Sequence, residues 1–289
     1  CISFALLENN RPNNMISRII LPIAFCLITA NLSLKAQSYT DYIDSSFIYI
    51  EAGNLTKAEN ALLKALRTEP ANPGNVLLLS NLGTIQRNLG KLPEALQSYN
   101  NALVMSPKSL TLLNNRAALW AEMDSLQRAK DDYSSILFID EKNEESLYRR
   151  GLIFLELNDT ASARRDFEQL LSLNTKSANA RIGLAALMKC RGFYFQAIDL
   201  YTQVIRSNPN MASLYLNRAE AYYYNRQYNR AAEDIDIALQ LTPEDPLVYV
   251  MRGKLKLARF EKDDAQKDFE KAVSLGFKAE DIPPMLNEK

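Results

Sequence analysis

The chain has 289 residues, with 34 basic and 34 acidic side chains, three Cys and no His. Zero net charge argues against a general nucleic-acid binder, which needs surplus Lys and Arg to displace counterions. The missing His excludes Ser-His-Asp and Cys-His catalysis and His-ligated zinc, and three Cys without a C-x-x-C pair exclude a zinc ribbon or redox motif.

The chain opens on Cys1, so translation is expected to begin at Met15, with residues 1–14 an upstream extension. Met15-Ile16-Ser17-Arg18 makes a basic head, residues 19–32 an apolar run, and Ala36 a small-residue exit before Gln37. That is the secretory pattern, and residues 15–36 are expected to be a signal peptide. A span needs ~20 apolar residues; this run carries Pro22 and trails into Asn31 and Ser33, so no stable membrane span is expected after cleavage. An uncleaved anchor is the alternative, since Leu34 stands where the exit prefers Ala. Cys26 follows Phe25, where the resembling bacterial lipoprotein signal needs a small residue, so lipid attachment is not expected. The expected location is the periplasm or the exterior of a bacterial cell. Cleavage would leave Cys190 as the one thiol, with no disulfide within the chain.

Beyond the leader, Ala58, Ala95, Ala129, Ala163, Ala197, Ala231 and Ala265 recur at one interval of 37 and five of 34. Twelve residues before each stands a small residue: Ser46, Gly83, Ala117, Gly151, Ala185, Ala219 and Gly253. Four after each stands a large one: Leu62, Tyr99, Tyr133, Phe167, Tyr201, Ile235 and Phe269. Small positions at helical offsets let two antiparallel helices approach, and the large residue fills the gap beside them. Gly53, Gly90, Gly192, Asp124 and Asn158 fall between the helices, where a left-handed residue ends the first of each pair. Pro70, Pro107, Pro209 and Pro243 close four pairs, while Glu141, Thr175 and Phe277 stand at other closures. An insertion at Pro73-Gly74-Asn75 accounts for the 37-residue step. A single pair cannot bury its apolar face, so the pairs must stack.

This 34-residue pattern of small, Ala, large, small and Pro resembles the tetratricopeptide repeat; ankyrin repeats have period 33 and a T-P-L-H signature that is absent here. The resemblance implies an all-α fold, a right-handed superhelical solenoid of about seven stacked helix-turn-helix repeats over residues 39–279. A short tail, 280–289, follows. It also implies that the first helix of each pair lines a concave groove. Counting from Val76, Leu110, Glu144, Ala178, Ala212 and Pro246, positions 2, 5, 6, 9, 12 and 13 face that groove. The groove set for partner binding is Asn81, Thr84, Asn88, Asn114, Asn115, Tyr148, Arg149, Asn217, Tyr223 and Tyr224, with Arg87, Glu122, Asn179, Lys189 and Glu220 beside them. Tyr222 is expected in the core.

Asn donates to and accepts from a peptide backbone at once, and Tyr adds rigid area at low entropic cost. The expected function is a non-enzymatic scaffold that clasps a protein or peptide segment; a glycan or cell-wall fragment stacking on the tyrosines is the alternative. Some relatives grip a partner's terminal carboxylates with a five-residue clamp. Asn115 and Arg149 match two of those places, but Ser80, Thr84 and Glu145 replace the rest, and Glu145 would repel a carboxylate. No cofactor, metal or nucleic acid is expected.

Arg116, Arg150, Arg218 and Arg252 share a phase with Asp132, Asp166, Asp234 and Asp268. Ion pairs across each helix pair are favoured over an anion-binding ladder, because an unpaired half-buried charge is costly. Cys190 lies between Lys189 and Arg191, and a cation lowers a thiol pKa. Without His or an oxyanion hole it reads as a small residue filling a helix flank. Self-association through the last repeat, at Leu275, is a further expectation, since residues 280–289 look too short for a full capping helix.

Overall fold

The computed structural model describes residues 38–282. The expected extension at 1–14, the leader at 15–36 and residues 283–289 of the tail lie outside that range. Fourteen α-helices occur among the described residues, paired into seven helix-turn-helix repeats, with no strand. They fall in two compact units that meet in sequence at Ser146 and Leu147. The first holds α1 (Tyr39–Glu51), α2 (Leu55–Thr68), α3 (Asn75–Asn88), α4 (Leu92–Met105), α5 (Leu110–Glu122) and α6 (Leu126–Ile139). Helix α7 (Glu144–Glu156) carries the boundary. The second unit continues with α8 (Thr160–Leu173), α9 (Ala178–Cys190), α10 (Tyr194–Ser207), α11 (Ala212–Tyr224), α12 (Tyr228–Leu241), α13 (Pro246–Ala258) and α14 (Lys262–Ser274). A 3-10 turn, Ala279–Asp281, follows.

Local chemistry sets the helix starts. Ser38 and Asp41 form a reciprocal capping box at α1. Asn54, Ser109, Asp159, Ser177 and Asp245 each accept a backbone N–H from the first turn of the helix they precede. Between paired helices the backbone is left-handed at Gly53, Gly90, Asp124, Asn158 and Gly192, as their residue types indicate. The same register holds Arg226 at φ 58° and Phe260 at φ 65°, two residues whose types gave no such sign.

The periodic residues form the core. Every recurring Ala, from Ala58 to Ala265, is fully buried, and Tyr99, Phe167, Tyr201 and Ile235 are at most 1% exposed. The small partners are small of necessity: a Cβ on Gly83 would lie 2.7 Å from the Tyr99 ring, and one on Gly253 2.5 Å from Phe269. The inserted loop is closed by Asn75, which is buried. Its Oδ1 accepts from the Tyr39 hydroxyl at 3.0 Å, and its Nδ2 donates to the carbonyl oxygens of Glu69 and Pro70.

Candidate functional site

The first helices bring one set of groove-register side chains to the surface in the unit that ends at Ser146. Asn81 and Asn88 are exposed on α3, and Asn114 and Asn115 are half-buried on α5. None of these four amides bonds to another described residue, so each has two donors and an acceptor to offer another molecule. Thr84 is exposed too, but its hydroxyl is committed, to the Ser80 carbonyl oxygen at 3.1 Å and to the Tyr99 hydroxyl at 3.0 Å. Arg87 on α3 donates to Glu122 on α5 at 2.5 Å, tying adjacent first helices together.

In the unit from Leu147, position 5 turns inward. Tyr148 is 6% exposed and packs at 6.3 Å from the Phe167 ring, in line with the burial of Ile182, Leu216 and Val250 at the same repeat position. The expected groove contact at Tyr148 is therefore corrected to a core residue. Asn217 is also corrected: it is buried, and its Nδ2 donates to the Ser213 carbonyl oxygen at 2.7 Å. Lys189, expected at the surface, is buried in an ion pair with Glu220 of the next first helix. Arg149 is half-buried.

Tyr223 and Tyr224 are where the register places them, half-buried and exposed, with Tyr222 in the core. Tyr224 stacks on Tyr194 at 5.5 Å and meets Tyr223 edge-on at 5.4 Å; Tyr228 lies 5.8 Å from Tyr223. The result is an aromatic ledge beside the Lys189–Glu220 pair.

Beside the ledge lies a feature that the expected groove set leaves out. Leu216, Asn217 and Glu220 on α11, with Leu247, Val250, Met251 and Lys254 on α13, line a hollow of about 40 Å³. All seven occupy groove positions 2, 5, 6 or 9 of their repeats. Continuing the same count past Pro246 identifies the four α13 residues.

The arginine phase resolves into ion pairs. Arg116, Arg150, Arg218 and Arg252 each grip both carboxylate oxygens of Asp132, Asp166, Asp234 and Asp268, at 2.6–2.9 Å. Burial pushes the Asp234 carboxyl up despite the pull of Arg218. For Arg218, burial works against the charge, but the Asp234 carboxylate outweighs it and holds the guanidinium above its usual value. These arginines are committed inside each helix pair. Cys190 is half-buried, and burial raises its thiol pKa against the lowering pull of Lys189, the opposite of activation. No group of three or more acidic or Cys side chains among the described residues is placed to hold a metal. No helix among them is long and apolar enough to cross a membrane.

Sequence profiles described as tetratricopeptide repeat match residues 48–109, 145–177 and 191–246. A tetratricopeptide repeat protein of Parabacteroides merdae has a similar solved structure, 41% identical, with a TM-score of 0.81 over 86% of this chain and 96% of that one. Mouse RNA polymerase II-associated protein 3 is 33% identical over 85 residues, 29% of this chain and 13% of that protein. The heat-shock protein cognate co-chaperone sgt12 of Aspergillus fumigatus is 39% identical over 83 residues, 28% of this chain and 24% of that protein. The chain therefore spans only a small share of these two curated relatives.

Proposed function

Because the chain belongs to the tetratricopeptide repeat family, we propose that it is a non-catalytic scaffold whose first helices, in each unit, hold extended segments of a partner protein. The family typically serves protein–protein interaction. The observation that carries the reading here is the set of uncommitted amides at Asn81, Asn88, Asn114 and Asn115. Four side chains with unspent donors and acceptors on one face suit an extended backbone, whose N–H and C=O groups repeat along its length. The ledge of Tyr223 and Tyr224 supplies apolar contact area of the kind that anchors interfaces.

The basic head and apolar run of residues 15–36 support export as the setting. N-terminal sequencing of the protein recovered from cell fractions tests that separately: a periplasmic or extracellular product beginning at Gln37 is expected, and a cytoplasmic product retaining residues 15–36 would overturn it.

The binding reading is tested by affinity purification with Asn115→Ala/Tyr224→Ala as control. Partners recovered by the wild type and lost from the variant are expected. Equal recovery by both would overturn it. The exposed, stacked ring of Tyr224 also suits a sugar face; a glycan array on the purified chain decides for that reading if a glycan binds and Tyr224→Ala abolishes it.

A further inference from the structure

The hollow between α11 and α13 has both an apolar floor and an unbalanced charge. Leu216, Val250 and Met251 are buried at its base, and Leu247 is half-buried at its edge. Its volume of about 40 Å³ exceeds the ~10–15 Å³ that one water needs. Yet the surfaces it offers are mostly aliphatic, which water satisfies poorly. Glu220, the one acid at the hollow, is already committed to Lys189. Lys254, half-buried on the opposite wall, has no ion-pair or hydrogen-bond partner among the described residues. The hollow therefore presents aliphatic surface under a net positive charge.

Resting on the first-helix-face reading, we propose that this hollow is a specificity subsite for an aliphatic side chain within two residues of an acidic side chain in an extended peptide. The aliphatic group fills the floor and displaces water held by few polar partners. The carboxylate pairs with Lys254, whose half-burial reduces solvent screening of that pair. A basic side chain in the same place would face Lys254 with no acid left to answer it, which disfavours the wrong ligand as well as favouring the right one.

A library of randomised heptapeptides, displayed internally so that no free C-terminus is offered, is selected against the full chain and against Lys254→Glu. Wild type is expected to enrich Leu, Ile, Val or Met within two residues of Asp or Glu. Lys254→Glu is expected to keep the aliphatic preference and exchange the acid for Lys or Arg. Synthetic peptides from the wild-type pool should bind Lys254→Glu at least about tenfold more weakly. Retention of the acidic preference by Lys254→Glu would overturn the subsite, and so would enriched peptides lacking the aliphatic–acidic pair. In the latter case, binding that still falls with Tyr224→Ala leaves the face reading standing. Absence of any enriched peptide would overturn both.

Discussion

Phe167 rests against Gly183 so closely that a Cβ on Gly183 would lie 2.4 Å from the ring, and a Cβ on Gly151 would meet the same ring at 2.4 Å. The ring is thus clasped by a glycine of its own helix pair and by a glycine of the next. Gly183→Ala is expected to cost about 1–3 kcal/mol through overpacking. Phe167→Ala should cost about 3–5 kcal/mol by leaving a cavity. The double variant should be less destabilised than the two losses combined, because the added methyl group enters space the ring has left. Urea melts of the three variants check this, and full additivity would contradict the clasp. Ala163→Leu, at the same helix crossing, should cost about 1–3 kcal/mol.

Tyr99 and Tyr201 occupy equivalent places, but Tyr99 bonds to Thr84 whereas the Tyr201 hydroxyl is buried without a partner among the described residues. The residue in the place of Thr84 is Ala186. Tyr99→Phe should lose about 1 kcal/mol, while Tyr201→Phe should be neutral or stabilising because it removes an unsatisfied group. Burial also holds the Tyr201 hydroxyl pKa well above its ordinary value. The native state keeps that proton where the unfolded chain releases it. The corresponding stability is full below about pH 10 and declines as pH rises above it. Tyr201→Phe should flatten this alkaline decline in melts from pH 8 to 11; an unchanged slope would contradict the assignment.

Arg226 and Phe260 carry side chains at left-handed positions that Gly fills in three other pairs. Phe260 is 83% exposed, so its side chain gains little packing there. Arg226→Gly and Phe260→Gly should each stabilise by about 1 kcal/mol through relief of that conformation. Thermal melts that move downward would contradict the reading.

Asp234→Ala should cost about 3–5 kcal/mol, since it leaves the half-buried Arg218 guanidinium without its charge partner, whereas Arg218→Met/Asp234→Leu should come close to wild type. Urea melts of both variants distinguish this from an anion-binding ladder, in which Arg218 would be spared any need for Asp234.

The fold was legible because it repeats. Each buried Ala and its large partner restates the same crossing, and the Arg and Asp phases match because each pair bonds across it. The first-helix face was less legible. Helical phase tells which way Tyr148, Lys189 and Asn217 point but not how deep the neighbouring helix buries them, and all three are covered. Arg226 and Phe260 hid their backbone state because only the register, and not the residue type, marks it. Gly183 escaped notice because it serves the aromatic ring of the preceding pair.

The claim that the first-helix face is the binding surface is tested most directly by site-specific photo-crosslinking in the native cell. A photoreactive phenylalanine analogue is placed at Asn88 or Tyr224 on first helices, or at Phe138, which is 92% exposed on the second helix α6. Discrete protein adducts from Asn88 and Tyr224, and none from Phe138, are the predicted result. Adducts from Phe138 alone would contradict it.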